Sequence, residues 1–376
     1  EIPTPALAYL VREYSADAAV MVSASHNSME YNGIKWFDSR GYKLSDAVED
    51  EIEAIVRENR YMSLPEGEHI GKLITAKRAA EDYADYLRAA CEVRLDGMSI
   101  VVDCANGASH GIAPGLFRSL GATVYSIADE PNGCNINERC GSTHPERMAE
   151  LVQELGADAG FAFDGDADRL IACDEHGNTV DGDKIMGMCA KHLKDRGALA
   201  HDTLVITVMS NIGLKKYLDA CGVRYCETAV GDRYVLERML SDGFRLGGEQ
   251  SGHIIFLDRN TTGDGMLSAI MALNVLVQSG KSMSKLAGEI KTYPQVLLNV
   301  IVPNERKDEI LADEDVRRET ARVEELLGDD GRLLLRASGT EPLIRIMIEG
   351  EQLRAIEEYA SAIAQVIIGK YGGRIK

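Results

Sequence analysis

Residues 159–169 read AGFAFDGDADR, a short apolar run that leads directly into a turn with three carboxylates. The apolar run predicts a buried strand over 159–163, and the carboxyl end of such a strand is where α/β folds place their functional groups. Similar cycles of apolar run, polar turn and amphipathic helix precede and follow this segment. Their alternation predicts repeated α/β units with mixed, largely parallel sheets.

Working outward, the same patterns place further elements along the chain. We predict strands over residues 18–22, 99–102, 122–127, 204–208 and 223–228, and helices over 47–56, 76–90, 148–155, 185–194, 214–221 and 234–240. The last part of the chain differs, with strands at 296–302, 332–335 and 344–349 and helices at 316–327 and 352–368. This order predicts a smaller α+β domain at the C-terminal end.

Composition limits the class of protein. The chain has 376 residues, 60 of them acidic and 41 basic, and its formal net charge is −19. At roughly 150 residues per domain, this length predicts two or three domains. Apolar residues make up 45% of the chain, which is enough for several buried cores. The acidic balance argues against a general nucleic-acid or acidic-membrane binder, although a locally basic site for a small anion stays compatible with it.

The cysteines and the first residues of the chain indicate the cellular compartment in which the protein is expected. The eight cysteines contain no C-x-x-C pair, which is typical of reduced thiols in a cytoplasmic protein. No apolar run reaches the roughly 18 residues of a membrane span. The chain starts at Glu1 without an initiator methionine and without the pattern of a signal peptide. We therefore expect that the true N-terminus has been cut away.

The acidic turn is the first of four loops that carry chemistry. Asp164, Asp166 and Asp168 alternate along an extended segment, so their carboxylates project to one side and repel each other unless a cation neutralises them. A surface turn is the alternative. These acids and Glu175 also fit four positions of an EF-hand loop, but Arg169 stands where that loop needs glycine, and a strand precedes it. We exclude the EF-hand and predict a metal site.

The second loop, SASHN at 23–27, follows a predicted strand and places a hydroxyl next to an imidazole. It is compatible with a nucleophile or phosphate carrier, or with a polar turn capped by its own side chains. Taken alone, this segment favours the polar turn. Only its combination with the other loops makes the functional interpretation stronger.

The third loop is GGEQSGH at 247–253. Its glycines permit close approach of the backbone, and its Glu, Ser and His offer an acceptor, a hydroxyl and a titrating donor that suit sugar hydroxyls. A glycine-rich hairpin with incidental polar residues explains the same segment equally well.

The fourth loop is RASGTEP at 336–342, with Arg345 just beyond it. Hydroxyls, a glycine and two guanidinium groups match the oxygens of a phosphate, whereas an ordinary turn with solvated arginines is the alternative. Together the four loops supply a hydroxyl carrier, a divalent-cation site, a sugar reader and a phosphate clamp. This combination predicts phosphoryl transfer on a phosphosugar.

At this point the motifs are recognisable. Over essentially its whole length the sequence resembles the α-D-phosphohexomutase superfamily, whose serine, metal, sugar and phosphate loops match SASHN, DGDADR, GEQSGH and RASGTEP. Five further segments are similar to the glucosamine-specific branch rather than to the phosphomannomutase/phosphoglucomutase branch: NIN at 135–137, CGSTHPE at 140–146, VMSN at 208–211, VGDRYV at 230–235 and TTGDG at 261–265.

The resemblance implies an activity and an architecture. It implies an isomerase that interconverts glucosamine 6-phosphate and glucosamine 1-phosphate through a phosphoserine enzyme and a bisphosphate, feeding UDP-N-acetylglucosamine and cell-wall synthesis. Mg²⁺ would be the cofactor, glucosamine 1,6-bisphosphate or another hexose bisphosphate the activator, and a phosphosugar the small-molecule partner. A cytoplasmic homodimer is expected, with no nucleic acid and no membrane as partner. Four domains around a central cleft are implied, at residues 1–74, 75–180, 181–294 and 299–376.

The resemblance also implies roles for single residues. Ser25 would carry the phosphoryl group, and it would bind the metal together with Asp164, Asp166 and Asp168. His26, Lys35 and Arg169 would surround the transferring group, with Lys35 as first candidate and His253 as second candidate for proton transfer. The residues that would bind substrate are Glu249 and Ser251 at the sugar hydroxyls, and Arg336, Ser338, Gly339, Thr340 and Arg345 at the phosphate that does not react.

Two departures from the family pattern are evident. Ser28 stands where the family commonly has proline. The Gly/Arg-rich segment that ordinarily precedes the serine domain, with an active-site arginine and the first strand, is absent, so the first domain is expected to be truncated. The alternatives to the glucosamine mutase are a phosphomannomutase/phosphoglucomutase, a phosphosugar phosphatase that delivers phosphate to water, and an inactive phosphosugar-binding protein.

Overall fold

The computed structural model describes residues 1–60, 64–338 and 341–376, and these divide into two compact units. Unit 1 comprises Glu1–Ser210 and Leu218–Ile290, and unit 2 comprises Asn211–Tyr217 and Lys291–Lys376. The helices are α1 (Thr4–Glu13), α2 (Asp46–Arg57), α3 (Ala79–Ala90), α4 (Ala113–Ser119), α5 (Glu146–Leu155), α6 (Gly182–Asp195), α7 (Ile212–Cys221), α8 (Asp232–Asp242), α9 (Gly265–Ser279), α10 (Met283–Gly288), α11 (Lys307–Ala312), α12 (Glu314–Leu327) and α13 (Leu353–Tyr371).

The strands form four sheets, three in unit 1 and one in unit 2 among the residues that the structure describes. They are β1 (Ala18–Val22), β2 (Ile34–Asp38), β3 (Ser99–Asp103), β4 (Thr123–Ile127), β5 (Ala159–Phe163), β6 (Leu170–Asp174), β7 (Thr179–Val180), β8 (Thr203–Thr207), β9 (Arg224–Thr228), β10 (Leu246–Gly248), β11 (Ile254–Phe256), β12 (Gln295–Ile301), β13 (Gly331–Ala337), β14 (Leu343–Gly350) and β15 (Arg374–Ile375).

The sheets of unit 1 are mixed. In the order β4-β3-β5-β6-β7, strand β3 runs parallel to β4 and β5, whereas β6 runs antiparallel to both of its neighbours, β5 and β7. In the order β11-β10-β8-β9, strand β8 is parallel to both of its neighbours and β11 is antiparallel. The pair β1-β2 is an antiparallel hairpin. The predicted α/β class with mixed sheets is confirmed.

Strand β5 places the acidic turn. All five of its residues are buried, and α5 and α9 pack against it, so its apolar sequence is that of a strand covered on both faces. Its parallel neighbour β3 pairs Asp103 with Ala162, which brings the carboxyl ends of both strands to one edge of the sheet. The loops after β3 and β5 therefore start from the same place, as α/β sites do.

Helix α9 lies in the centre of unit 1 and is buried from Gly265 to Leu276. Asp264 caps its first turn by accepting a hydrogen bond from the Leu267 amide at 3.0 Å. The same carboxylate accepts bonds from the Tyr83 hydroxyl at 2.9 Å and from Asn260 Nδ2 at 3.1 Å. Burial raises the pKa of Asp264 to about 6 although these donors oppose the shift. The buried carboxylate therefore depends on its donors.

Removing one donor tests this dependence. We expect Tyr83→Phe to destabilise the protein by about 1–3 kcal/mol, because a buried acceptor loses its partner. Tyr14→Phe is the matched control, since the Tyr14 hydroxyl also donates to a carboxylate, Asp82, at 2.6 Å but is 44% exposed. That change should stay within about 0.5 kcal/mol. Thermal unfolding followed by circular dichroism measures both, and equal stability of the two variants would contradict the expectation.

Unit 2 is an α+β unit around one antiparallel sheet of order β13-β14-β12-β15. Helices α12 and α13 pack on the sheet and bury a common apolar core. This architecture confirms the α+β class that the sequence predicts for the C-terminal part. The buried core comprises Val300, Val302, Ile310, Val316, Val323, Ile344, Ile346, Ile348, Ile356, Ala360, Ile363, Ala364 and Ile367.

Two further expectations from the sequence concern the cysteines and the helices. Every cysteine is a free thiol in the structure. Among the described residues, no helix combines the length and the apolar character that crossing a membrane requires.

Candidate active site

The turn after β5 brings the three predicted metal ligands together. One carboxylate oxygen from each of Asp164, Asp166 and Asp168 lies within 4.8 Å of the other two, and all three side chains are buried. Ala167 adopts a left-handed φ of 55°, which tightens the turn between them. Burial and the two neighbouring carboxylates raise the pKa of Asp164 well above its usual range. The three acids are thus packed more closely than their charges favour.

The donor set fits a divalent cation. Asp166 Oδ1 and Asp168 Oδ1 are buried and accept no hydrogen bond from any residue that the structure describes. Buried acceptors without partners cost free energy, and carboxylate oxygens are the ligands that Mg²⁺ prefers. Strands β5 and β6 flank the turn, so the exclusion of an EF-hand, which needs flanking helices, agrees with the structure.

Ser25 lies in the loop between β1 and β2 and faces this cluster. Its Oγ donates a hydrogen bond of 2.6 Å to Asp164 Oδ2. Its φ of 54° is left-handed, a conformation that costs a non-glycine residue free energy and that is enriched at active sites. Asn137 Nδ2 holds the loop by donating 2.8 Å bonds to the carbonyl oxygens of Ser25 and Asn27. The serine hydroxyl is therefore held against the metal ligands.

Basic groups surround the same point. Lys35 Nζ donates to Asp166 at 2.5 Å and to Asp168 at 3.1 Å. Burial opposes the charged form of Lys35, but the two carboxylates outweigh it and raise its pKa above the ordinary value. Arg169 Nη1 donates to His26 Nδ1 at 3.1 Å. Because a guanidinium can only donate, His26 Nδ1 accepts this bond, and burial and then Arg169 lower the pKa of His26.

The predicted sugar loop is the turn of the β10-β11 hairpin. The Glu249 amide donates to the His253 carbonyl at 3.1 Å, and Glu249 Oε1 accepts from the Gly231 amide at 3.0 Å. Ser251 is exposed at the tip. His253 is only 3% exposed, and neither ring nitrogen has a hydrogen-bond partner among the described residues. Its Nε2 lies 3.6 Å from Asp232 Oδ2, a carboxylate that also pairs with Lys43.

Backbone contacts join these loops into one cluster within unit 1. The Leu170 amide at the end of the acidic turn donates to the Gly252 carbonyl at 3.1 Å. The Gly265 amide donates to the Ala167 carbonyl at 3.0 Å. Gly252 has a φ of 93°, and a Cβ there would lie 2.0 Å from the Leu170 carbonyl oxygen, so this close approach requires glycine. The serine, metal and sugar loops are therefore neighbours, as the sequence predicts.

Thr4 is a part of this site that the sequence does not reveal. Its amide donates to the Asp166 carbonyl at 3.0 Å, and its buried hydroxyl donates to Asp166 Oδ2. Both bonds fix the orientation of a candidate metal ligand from the start of α1. Outer partners of this kind set the geometry and the affinity of metal sites.

Replacing the Thr4 hydroxyl should weaken metal binding. We expect Thr4→Val, which keeps the shape but loses the donor, to reduce Mg²⁺ affinity by roughly tenfold, the low end for such partners. Thr4→Ser keeps the hydroxyl and serves as the control with near-normal affinity. Isothermal titration of the protein with Mg²⁺ measures the effect directly. Identical Mg²⁺ affinity of the Val and Ser variants would show that the hydroxyl does not orient Asp166.

The predicted phosphate loop lies in unit 2. Arg336 on β13 and Arg345 on β14 stand directly opposite each other in the antiparallel register. Burial and then Arg345 lower the pKa of Arg336, as expected for two like charges in contact. Like charges directly opposite each other destabilise a sheet, and such costs are retained mainly at functional sites.

The other predicted members of this loop are Ser338, Gly339 and Thr340. Ser338 is buried, and its Oγ lies 3.5 Å from Arg345 Nη2. Arg345 also donates to Glu341 Oε2 at 3.0 Å, and its buried Nε has no partner among the described residues. The predicted substrate-binding residues Gly339 and Thr340 lie outside the described residues.

Three further residues of the site carried no assigned role in the sequence. Asn137 and Asp232 lie in segments that resemble the glucosamine-specific branch. The resemblance therefore indicated these segments but gave no role to either residue. Thr4 contacts a residue 162 positions away, and no local pattern signals such a contact.

Comparison with known proteins assigns the family. Four domain models of the phosphoglucomutase/phosphomannomutase family match residues 1–62 (domain I), 81–177 (domain II), 181–293 (domain III) and 297–366 (the C-terminal domain). The chain belongs to this family.

Its relatives narrow the class further. The chain is 52% identical over 366 residues to a phosphoglucosamine mutase of Caldanaerobacter subterraneus subsp. tengcongensis and 53% identical over 366 residues to one of Thermoanaerobacter sp.. Each alignment covers 97% of this chain and 82% of the relative. The predicted family and the predicted enzyme class, a mutase among the isomerases, are confirmed.

Solved structures agree on the fold. A phosphoglucomutase/phosphomannomutase family protein from Burkholderia thailandensis matches with a TM-score of 0.82 at 22% identity, covering all of this chain and 83% of that one. The N-acetylphosphoglucosamine mutase of Aspergillus fumigatus in complex with GlcNAc-6P and magnesium matches with a TM-score of 0.74 at 19% identity, covering 97% and 92%. A variant of that Aspergillus enzyme in complex with glucose 1,6-bisphosphate matches with a TM-score of 0.68 at 18% identity, covering 98% and 92%.

Proposed function

We propose that this chain interconverts glucosamine 6-phosphate and glucosamine 1-phosphate by passing a phosphoryl group between Ser25 Oγ and the two ends of the sugar. The observation that carries the proposal is the Ser25 hydroxyl, 2.6 Å from a buried cluster of three carboxylates and among basic side chains. The phosphoglucosamine mutases to which the chain is about half identical support glucosamine as the sugar.

In the first half-reaction the phosphorylated serine donates to the free hydroxyl of the sugar. A bond forms between that hydroxyl oxygen and phosphorus, the bond between phosphorus and Ser25 Oγ breaks, and the hydroxyl proton passes to a protein base. The product is the 1,6-bisphosphate. After the bisphosphate turns round, the second half-reaction returns its other phosphoryl group to Ser25, so the enzyme ends as it began.

Charge neutralisation and positioning are what phosphoryl transfer needs most. Asp164, Asp166, Asp168 and the phosphorylated Ser25 would hold Mg²⁺, which when bound supplies positive charge to the phosphoryl oxygens. Lys35, Arg169 and His26 would face the same oxygens. Because the structure supports this metal by its unpaired carboxylate oxygens, Mg²⁺ is part of the proposal.

Lys35 and His253 are our two candidates for proton transfer. The carboxylates beside Lys35 raise its pKa, so in this arrangement its ammonium keeps its proton and suits stabilisation of the charge on the phosphoryl group. Neither ring nitrogen of the buried His253 has a hydrogen-bond partner among the described residues, and Nε2 faces Asp232 Oδ2 at 3.6 Å, so a proton accepted by the ring would lie beside a carboxylate. Glu249 and Ser251 would form hydrogen bonds with the sugar hydroxyls beside His253.

The non-reacting phosphate would be held in unit 2 by Arg336, Ser338 and Arg345, together with Gly339 and Thr340. Binding energy from this distant group orients the reacting end of the sugar. In a mutase this clamp must accept either phosphate of the substrate. Two opposed arginines offer more donors than one phosphate orientation uses, which supports that role.

Several finer features belong to the same proposal. We propose a hexose 1,6-bisphosphate as the intermediate and activator, a cytoplasmic location, and a homodimer. The four domains are proposed at residues 1–74, 75–180, 181–294 and 299–376.

One assay tests the proposed function. The protein is incubated with Mg²⁺, glucosamine 6-phosphate and a trace of glucose 1,6-bisphosphate, and the sugar phosphates are resolved by ³¹P NMR. Formation of glucosamine 1-phosphate is expected. Release of inorganic phosphate would instead identify a phosphatase, and binding without either product would identify a phosphosugar-binding protein. Mannose 6-phosphate and glucose 6-phosphate in parallel reactions report the preferred sugar, and faster conversion of either would contradict the glucosamine assignment.

A further inference from the structure

Lys307 is a buried lysine that the proposed chemistry does not use. It is the first residue of α11 in unit 2 and is 9% exposed. Its Nζ donates to the Ser338 carbonyl oxygen at 2.7 Å and to the Glu341 carbonyl oxygen at 2.6 Å. These two residues flank positions 339–340, so Lys307 binds the predicted phosphate loop on both sides of its centre.

The charge of Lys307 has no counter-charge within the described part of the chain. None of the ion pairs found among the described residues includes Lys307, and the two acceptors of its Nζ are neutral carbonyl groups. A buried cation without an opposite charge is costly, so proteins normally pair it. Even lysines of unit 2 that are far more exposed than Lys307 have an acidic partner: Lys216 pairs with Asp330, Lys291 with Glu351, Lys370 with Asp313 and Lys376 with Glu341.

The charges around Lys307 indicate that its missing partner is an anion. Arg336 and Arg345 add two more cations, and they are already placed opposite each other. Glu341 is the one carboxylate recorded next to this group in the described part of unit 2, and it is shared between Arg345 and Lys376. The loop therefore concentrates positive charge that the described residues do not neutralise.

We infer that Lys307 is a positioning residue of the phosphate loop and that its ammonium is the buried counter-charge of the sugar's non-reacting phosphate. By holding two carbonyl oxygens toward itself, Lys307 keeps these acceptors from facing a phosphate, which they would repel. Because Lys307 is buried, its charge is screened little by water and adds to the positive charge of the two arginines of the same loop. This inference rests on the proposed function, because it assigns the phosphate of that substrate to this loop.

Substitution of Lys307 tests the inference. We expect Lys307→Met to raise the KM for glucosamine 6-phosphate by about tenfold to hundredfold, the range for a lost charge-assisted contact, with a smaller change in kcat. Lys307→Arg keeps the charge and should recover most of the affinity. Lys370→Met removes a lysine that is 44% exposed and paired with acids, and it should leave KM unchanged.

Stability and binding measurements separate this role from a merely structural one. Thermal unfolding without ligand shows whether each variant is folded, and isothermal titration with glucosamine 6-phosphate gives its affinity. If folded Lys307→Met binds as tightly as the wild type, the inference is wrong. It is also wrong if Lys307→Arg binds as weakly as Lys307→Met, because charge would then not be the property that matters. Failure of the wild type to isomerise would overturn the proposed function instead, and the titration would still decide the role of Lys307.

Discussion

Replacing Ser25 with alanine is expected to abolish the conversion of glucosamine 6-phosphate, lowering kcat by about 10⁴-fold or more, as loss of a covalent nucleophile does. Ser25 Oγ donates to Asp164 at the cluster of three carboxylates, and the left-handed backbone of Ser25 holds it there. Without this oxygen the phosphoryl group has no acceptor on the enzyme. The remaining charges would then bind substrate but could not turn it over.

Mass spectrometry and kinetics should report the same loss. Intact wild-type protein incubated with glucose 1,6-bisphosphate is expected to gain the mass of one phosphoryl group, and Ser25→Ala is expected to gain none. Ser28→Ala is the matched control, because Ser28 lies exposed in the same loop and has no assigned role in the transfer. It should keep both activity and the added mass. A phosphoryl group that persists on Ser25→Ala would place the acceptor on another residue.

The order of elements was predictable because many of the strands are short apolar runs with polar turns at both ends. The predicted strand at 18–22 agrees with β1 (Ala18–Val22), and the predicted strand at 159–163 agrees with β5 (Ala159–Phe163). The amphipathic helix predicted at 316–327 corresponds to α12 (Glu314–Leu327). In β5 and α12 the residues that make the pattern are the ones that the fold buries, whereas β1 follows the predicted pattern although none of its residues is buried.

Elements whose sequences lack a contrast between apolar and polar residues were not predicted. Helix α9 is buried around most of its circumference, so its sequence is apolar throughout and lacks the period that reveals an amphipathic helix. Strand β6 follows the acidic turn at once, and its LIACD sequence is too short to separate a strand from a continuing loop. Helix α1 starts at Thr4, between Pro3 and Pro5, and was not predicted.

The composition of the site was predictable, but its contacts were not. The four loops are compact motifs whose residue types reveal their chemistry. Contacts such as those of Thr4 with Asp166 or Asn137 with Ser25 join positions more than 100 residues apart, and they depend on how the sheets and loops are packed. No local pattern contains that information.

Several residues of the candidate site are in arrangements that destabilise a folded protein. Three carboxylates are buried together, and Ser25 takes a left-handed conformation. Two arginines face each other across a sheet, and Lys307 is buried without an acid among the described residues. Each feature costs free energy in the folded protein, and such costs persist where function requires them. A bound ligand of opposite charge lowers this free-energy cost. We therefore assign an anion to the two arginines and Lys307, and a cation to the three carboxylates.

The second large effect is expected from Asp166→Asn. Asp166 accepts from Thr4 and Lys35 through Oδ2, while its buried Oδ1 has no donor among the described residues and is available to a cation. Asparagine keeps the shape but removes one negative charge, and it can turn an NH₂ group toward the cation. Because loss of even an outer partner lowers metal affinity by about 10–100-fold, we expect at least that loss of Mg²⁺ affinity here.

Thermal stability with and without the metal measures this directly. Mg²⁺ at about 100 times its dissociation constant stabilises a protein by about 2.7 kcal/mol, so the wild type should melt at a higher temperature in Mg²⁺ than in EDTA. Asp166→Asn should show little of this increase, and its conversion of glucosamine 6-phosphate should fall in parallel. Asp195→Asn removes an exposed carboxylate that pairs with Lys191, and it should behave as the wild type. An Asp166→Asn variant with the full increase would mean that the acidic turn does not bind the metal, and the charge of the three buried carboxylates would then have to be balanced by Lys35 and Arg169 alone.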